Sequence, residues 1–164
     1  MPLGNYVKPV KSIDGAQKGK WAEAEVREIL KVKSDEDLNF TFNRTLDARS
    51  AGGKFPAQAG DFQWFRLQDG ASTNGILEVK EVQHLYRLPY SNFEKDAYAR
   101  MRKRELAGSL CIVVIAHKLK DMKPADVTWR ILPLSYFADR NPGVGSWDLS
   151  KVDLIDLKTG LANL

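Results

Sequence analysis

Residues 61 to 82 read DFQWFRLQDGASTNGILEVKEV, and this stretch decides the fold. The segments 61–67 and 76–82 both read as strands. Between them, the dipeptides Asp69-Gly70 and Asn74-Gly75 tolerate the positive φ angles that tight hairpin turns require. We therefore expect the two segments to pair as an antiparallel hairpin, joined through the turn-rich residues 68 to 75.

The hairpin also carries the residues that suggest chemistry. Glu78 and Lys80 are two positions apart, so their side chains lie on the same face of a strand, while Val79 between them points to the core. Asp61 opens the first strand and can reach this pair from the neighbouring strand. The spacing predicts a compact group of two acids and one amine. The alternative is a surface ion pair between Glu78 and Lys80, which would contribute little to stability.

Such a group suits the cleavage of phosphodiesters. A divalent cation stabilises the attacking and leaving oxygens of the phosphate, and carboxylate and carbonyl oxygens are its usual ligands. Asp61, Glu78 and the carbonyl of Val79 are the candidate ligands. Lys80 is the candidate for orienting or helping to deprotonate the attacking water.

The rest of the chain supplies a layered α/β fold. Apolar spacing and turn residues predict the remaining elements: a helix over 17–33, a strand over 38–45, a loop over 47–60, a helix over 92–107 closed by Gly108, and strands over 110–116 and 127–132. The order is αβββαββ. A helix between two strands of one sheet implies a parallel crossover, so we expect a mixed, twisted sheet flanked by helices. From residue 138 onward the pattern is less regular, and this part either caps the core or joins a dimer interface.

Composition narrows the possible functions. The 164 residues fit a single domain over 15–164, preceded by a flexible arm over 1–14. No apolar run approaches the roughly 20 residues that span a bilayer, and the N-terminus has no apolar signal segment, so a cytoplasmic protein without membrane partners is expected. One cysteine and two histidines exclude a thiolate cluster and argue against zinc. A metal held here would be Mg²⁺, with Mn²⁺ as a substitute.

Basic residues suggest a phosphate-rich partner. The net charge is only +4, but basic side chains cluster in the 92–107 helix, around the glycine-containing loop and after the 110–116 strand. The alternative for the basic clusters is a solvated surface, and the alternative for Ser50 and Lys54 is a plain loop. The candidate DNA-binding residues are Arg44, Arg49, Ser50, Lys54, Arg100, Arg102, Lys103 and Lys118.

Gly60-Asp61 followed by Leu77-Glu78-Val79-Lys80 resembles the signature of the PD-(D/E)xK nucleases. The segments 18–23 (KGKWAE), 88–93 (LPYSNF) and 110–116 further resemble the RecU-type and archaeal Hjc-type Holliday junction resolvases, over roughly residues 17 to 137. The resemblance implies a restriction-endonuclease-like core with Asp61, Glu78 and Lys80 as catalytic residues. It also implies that a helix-borne glutamate joins the metal site; Glu23 matches best, and Glu25 is the alternative.

The function that this resemblance implies is a Mg²⁺-dependent endodeoxyribonuclease. Its substrate would be branched DNA, above all the four-way junctions of recombination and repair, and a homodimer would supply two active sites. Two alternatives stay open. One is a flap, single-strand or restriction-like nuclease of the same fold. The other is a non-catalytic DNA-binding module.

Overall fold

The computed structural model describes residues 20–45, 52 and 57–164. Several predictions lie outside the described residues: the arm over 1–14, the Lys18-Gly19 pair, and the candidate DNA contacts Arg49, Ser50 and Lys54.

Three α-helices and seven β-strands make up the described part. The helices are α1 (Lys20–Glu36), α2 (Lys95–Leu106) and α3 (Leu157–Ala162). The strands are β1 (Phe40–Arg44), β2 (Phe62–Gln68), β3 (Ala71–Val82), β4 (Arg87–Pro89), β5 (Leu110–His117), β6 (Thr128–Pro133) and β7 (Ser146–Asp148). Every predicted helix and strand is therefore confirmed in type and order, and β4, β7 and α3 are additions.

A mixed five-stranded sheet organises the molecule, in the order β1-β2-β3-β5-β6. Only β3 and β5 are parallel, and α2 makes the crossover between them. The prediction of an α/β fold with a mixed sheet flanked by helices is confirmed. Strand β5 lies between β3 and β6 and is buried along almost its whole length, as its apolar sequence predicts.

The hairpin turn is tighter than the sequence analysis predicted. Only Asp69 and Gly70 form it, with φ angles of 51° and 77°. The prediction of a second turn at Asn74-Gly75 is wrong, because both residues lie inside β3 and pair with Phe65 and Trp64, respectively. A Cβ at Gly75 would overlap the indole of Trp64, so this glycine makes room for a buried tryptophan.

Helix α2 begins at Lys95, three residues later than predicted. Residues Tyr90–Asn92 form a 3-10 turn, and Phe93 follows with φ −131° and ψ 89°, outside the helical region. This extended residue sends a fully buried ring into the core. The end of the helix matches the prediction, since Gly108 follows it with φ 98° and Ser109 N–H bonds to the Arg104 carbonyl.

Two apolar layers cover the two faces of the sheet. Helices α1 and α3 pack on one face, through buried residues such as Val26, Leu30 and Leu161. Helix α2 and the segment that follows β6 pack on the other, through Met101, Phe137 and Trp147 among others. Strands β4 and β7 pair as a small separate sheet, with Leu88 opposite Trp147.

The C-terminal part therefore caps the core on both faces. Trp147, Leu149 and Leu157 are buried, whereas Leu154 and Ile155 remain exposed. Within the described residues, no helix is both long enough and apolar enough to span a membrane.

Candidate active site at the fork of β2 and β3

The candidate site lies where β2 and β3 separate. Their pairing runs from Gln68 opposite Ala71 to Phe62 opposite Leu77, and β3 then continues to Val82 with only β5 beside it. The edge of β3 that faces away from β5 is therefore open beyond Leu77. This fork leaves backbone groups and side chains accessible in the middle of the sheet.

Asp61 occupies the fork. Its N–H donates to the Leu77 carbonyl at 2.7 Å, and its carbonyl accepts from Thr45 N–H at 2.8 Å. Its side-chain Oδ2 accepts from the Val79 N–H at 2.6 Å. The carboxylate is thus tied to the middle residue of the Glu-Val-Lys sequence.

Gly60 makes this placement possible. Its φ angle is +69°, and a Cβ there would lie 2.7 Å from the Leu77 carbonyl oxygen. The left-handed conformation and the close approach of two backbones both favour glycine. The chain can therefore turn sharply just before Asp61.

The surroundings of Asp61 concentrate negative charge. Burial raises the pKa of its carboxyl to about 7, and the carboxylates of Glu78 and Glu23 act in the same direction. The hydrogen bond from Val79 and the charge of Lys80 oppose this rise in pKa only in part. A bound cation would relieve the repulsion among the carboxylates.

Glu78 and Lys80 lie on the same face of β3, as predicted, and form an ion pair. The pair is not a surface feature, because Glu78 is only 7% exposed. The Lys80 ammonium also lies over the ring of Phe93, 5.5 Å from its centroid. A buried carboxylate of this kind is costly to the fold unless it is paired.

Val79 presents its backbone to the open edge of β3. Its side chain is buried in the core against α1. The N–H and C=O of one strand residue point to the same side of the strand, and the N–H of Val79 faces Asp61. Its carbonyl therefore faces the fork as well, as the predicted ligand role requires.

A cleft of about 440 Å³ opens at the fork and is lined by Glu23, Asp61, Val79 and Lys80, among others. Glu78 does not line it, because its side chain is about nine-tenths buried. Glu25, the alternative to Glu23, lines a separate groove between α1 and α3. The structure thus brings Glu23, and not Glu25, to the predicted site.

Polar cleft residues outside the predicted site are Glu81, Gln83, His84 and Asn92. Glu81 lies on the opposite face of β3 from Lys80. Its Oε2 is buried and has no hydrogen-bond partner in the described part of the chain. In the sequence, the only hint of this role was the position of Glu81, a carboxylate between Lys80 and the apolar Val82.

The segment after β3 is anchored by a buried histidine and a buried arginine. Arg130 donates to the Leu85 carbonyl at 2.6 Å and to His117 Nε2 at 2.8 Å, and His117 Nδ1 bonds the His84 carbonyl. Because arginine only donates, Nε2 accepts and the proton of the neutral ring lies on Nδ1. Burial lowers the pKa of His117, which keeps that neutral form. His84 is exposed at the cleft, whereas the buried His117 has a structural role.

The described basic candidates lie in different settings. Arg44 bonds Glu23 Oε2 at 3.0 Å beside the cleft. Arg100 donates to the Gln58 carbonyl at 3.3 Å, shortly before Gly60 and Asp61 in the chain.

Lys118 follows β5, and its ammonium lies 5.5 Å from the ring centroid of Trp21. Arg102 pairs with Glu105 on the surface of α2, where Lys103 is exposed.

The donor chemistry at the fork fits a hard divalent cation, with carboxylates from Asp61, Glu78 and Glu23 and the carbonyl of Val79. In the structure, Lys80 holds Glu78 and Arg44 holds Glu23. Across residues 20–45, 52 and 57–164, no three histidine, cysteine, aspartate or glutamate side chains gather as a ready-made metal-binding group. To bind the cation, each glutamate would have to give up its basic partner, and the Glu78 side chain would also have to reach the cleft that it does not line.

Comparison of the chain with known protein-family models and with curated proteins gives no match.

Proposed function

We propose that this protein is a Mg²⁺-dependent endodeoxyribonuclease of the PD-(D/E)xK type that nicks four-way DNA junctions. One observation carries the proposal: the 2.6 Å hydrogen bond between Asp61 Oδ2 and Val79 N–H. It joins the acid before β2 to the strand that bears Glu78 and Lys80. Two acids and a lysine acting together are what the resemblance to this family implies.

Each residue has a role in the proposed reaction. The carboxylates of Asp61 and Glu78, with Glu23 and the Val79 carbonyl, would hold Mg²⁺ or Mn²⁺. The bound cation would neutralise charge on the phosphate and stabilise the attacking and leaving oxygens. Lys80 orients the attacking water with its ammonium group and favours loss of the water proton. Arg44 lies beside the cleft, where a DNA phosphate is an alternative partner to Glu23.

The proposed substrate is branched DNA, bound mainly through its backbone. Arg100, Arg102, Lys103 and Lys118 would contact phosphates without reading bases. Two symmetric nicks across a junction need two active sites, so the proposed working form is a homodimer.

The proposal is tested by incubating the protein with labelled synthetic DNA in Mg²⁺ and, separately, in EDTA. Four substrates of matched sequence are compared: a four-way junction, a flap, a linear duplex and a single strand. We expect paired nicks near the junction centre in Mg²⁺, slower cleavage of the other substrates, and no cleavage in EDTA.

The other outcomes discriminate between the alternatives. Preferential cleavage of flap or single-stranded DNA would support the proposed nuclease activity but contradict the proposed junction substrate. Tight junction binding without cleavage in either Mg²⁺ or Mn²⁺ would indicate a non-catalytic binding module. A Glu78→Gln variant serves as the control for a contaminating nuclease, because it should lose cleavage and keep binding.

A further inference from the structure

We propose that Phe93 is a positioning residue for Lys80. The face of its buried ring holds the Lys80 ammonium at the cleft, and residues from the C-terminal part of the chain hold the ring. The consequence for catalysis rests on the proposed function, whereas the contact itself is testable without it.

The contact joins a cation to an aromatic face. Lys80 Nζ lies 5.5 Å from the centroid of the Phe93 ring, within the range in which the ring quadrupole attracts an ammonium group. Among the described residues, the ion-pair partner of that ammonium is Glu78. Lys80 is therefore held between a carboxylate and a ring.

The ring itself has little freedom to move. Phe93 is fully buried. Phe137 and Tyr98 meet its ring in edge-to-face geometry, with centroids 5.5 and 6.1 Å away, and Trp147 lies at 6.3 Å. Phe137 and Trp147 belong to the C-terminal part of the chain, which thereby supports the site.

The backbone of Phe93 is fixed as well. Arg140 donates a hydrogen bond to the Phe93 carbonyl. Its guanidinium group lies over the rings of Tyr90 and Trp147, at 5.3 and 5.1 Å from their centroids. Phe93 is thus held in place through both its side chain and its main chain.

A ring is a useful anchor for this lysine because it does not bind divalent cations as a carboxylate does. Lysine has a flexible four-carbon stem, and Glu78 alone would hold it only while that carboxylate is not a metal ligand. If Glu78 held Mg²⁺, the ring of Phe93 would still define where the ammonium lies. We infer that Phe93 keeps Lys80 directed at the water in the loaded site.

The first arm of the test measures the steady-state kinetics of junction cleavage. Phe93→Leu should lower kcat about tenfold with little change in KM, because loss of a desolvated cation–π contact affects the orientation of Lys80 and not DNA binding. Phe93→Tyr keeps the ring and should restore most of kcat. The matched control is Phe40→Leu, because Phe40 is also buried under a lysine, with Lys33 Nζ 5.0 Å from its centroid, but packs on the other face of the sheet.

The second arm uses NMR of the wild-type protein. Methylene protons of Lys80 above a ring face should be shifted upfield and should show contacts to Phe93 ring protons. These signals need neither cleavage activity nor a folded Phe93→Leu variant.

The outcomes separate the two proposals. Ordinary Lys80 shifts without contacts to Phe93 would overturn this inference, as would equal kcat for Phe93→Leu and Phe40→Leu in a protein that cuts DNA. If the wild-type protein cuts no DNA in Mg²⁺, the proposed function fails, and the NMR arm alone decides the Phe93 contact.

Discussion

Competing interactions set the pKa and the position of the Asp61 carboxyl group. Burial and the neighbouring carboxylates of Glu78 and Glu23 raise its pKa to about 7, while the Val79 N–H fixes its position. The folded protein therefore binds this proton more tightly than the unfolded chain does. Between the ordinary pKa of 3.8 and about 7, this group makes stability fall as pH rises. The ionised Asp61 carboxylate therefore destabilises the folded protein when no cation is bound.

Replacement of Asp61 by asparagine should therefore stabilise the protein at neutral and alkaline pH. Asparagine stays uncharged and keeps an oxygen acceptor for Val79 N–H. We expect the free energy of unfolding in urea to rise by roughly 1 to 3 kcal/mol at pH 8 and to change little at pH 4. Asp69→Asn, in the exposed hairpin turn, is the control. An equal change at both pH values would show that charge at Asp61 is not the cause.

Lys80 should affect the chemical step more than DNA binding. We expect Lys80→Met to lower kcat for junction cleavage by about 10² to 10⁴, the usual contribution of a positioned acid–base group, with KM nearly unchanged. Lys103→Met, on the surface of α2, should instead raise KM and leave kcat unaltered. Steady-state kinetics of both variants check this, and a Lys80→Met enzyme with full kcat would remove Lys80 from the mechanism.

At the level of elements, the hairpin was predictable because its signals are local. Asp69-Gly70 sets the turn, and the two-residue spacing of Glu78 and Lys80 sets their common face. The role of Gly75 was not predictable, since it depends on Trp64 across the strand pair. The start of α2 also depends on tertiary packing, because Phe93 leaves the helical conformation to bury its ring.

Gly60 should be less replaceable than Gly70, although both have positive φ. A Cβ at Gly60 would meet the Leu77 carbonyl oxygen at 2.7 Å, whereas nothing lies within 4 Å of one at Gly70. Gly70→Ala should cost only the left-handed strain of about 1 kcal/mol. Gly60→Ala should cost more and also reduce cleavage by displacing Asp61. Urea unfolding and junction cleavage test this, and equal effects of the two substitutions would contradict it.

For the whole molecule, the sequence predicted the main sheet and its parallel crossover, but not the second small sheet. Strands β4 and β7 have three residues each, too few for a recognisable alternation, and they pair across a long stretch of chain. The contacts of Phe137, Arg140 and Trp147 with Phe93 were not predictable for the same reason, because they also join residues that are far apart in the sequence. Glu81 was missed although the sequence places this carboxylate beside the apolar Val82, because the burial of its Oε2 depends on the folded cleft.

Charge across the whole surface should make junction binding depend steeply on salt. Each phosphate contact releases counterions, so log Kd should rise linearly with log salt concentration. Lys103→Ala should reduce that slope by about one. Lys158→Ala, beside the groove between α1 and α3, is the control and should leave the slope unchanged. Gel-shift titrations at several salt concentrations measure the slopes, and equal slopes for wild type and Lys103→Ala would place Lys103 outside the DNA contact.

The central claim is that Asp61 belongs to a metal-dependent nuclease site. The most direct measurement is nicking of a four-way junction in Mg²⁺ by wild type, Asp61→Asn and Asp69→Asn at equal concentration. The account predicts that wild type and Asp69→Asn nick the junction, and that Asp61→Asn binds it without nicking. Equal nicking by all three proteins would contradict the account.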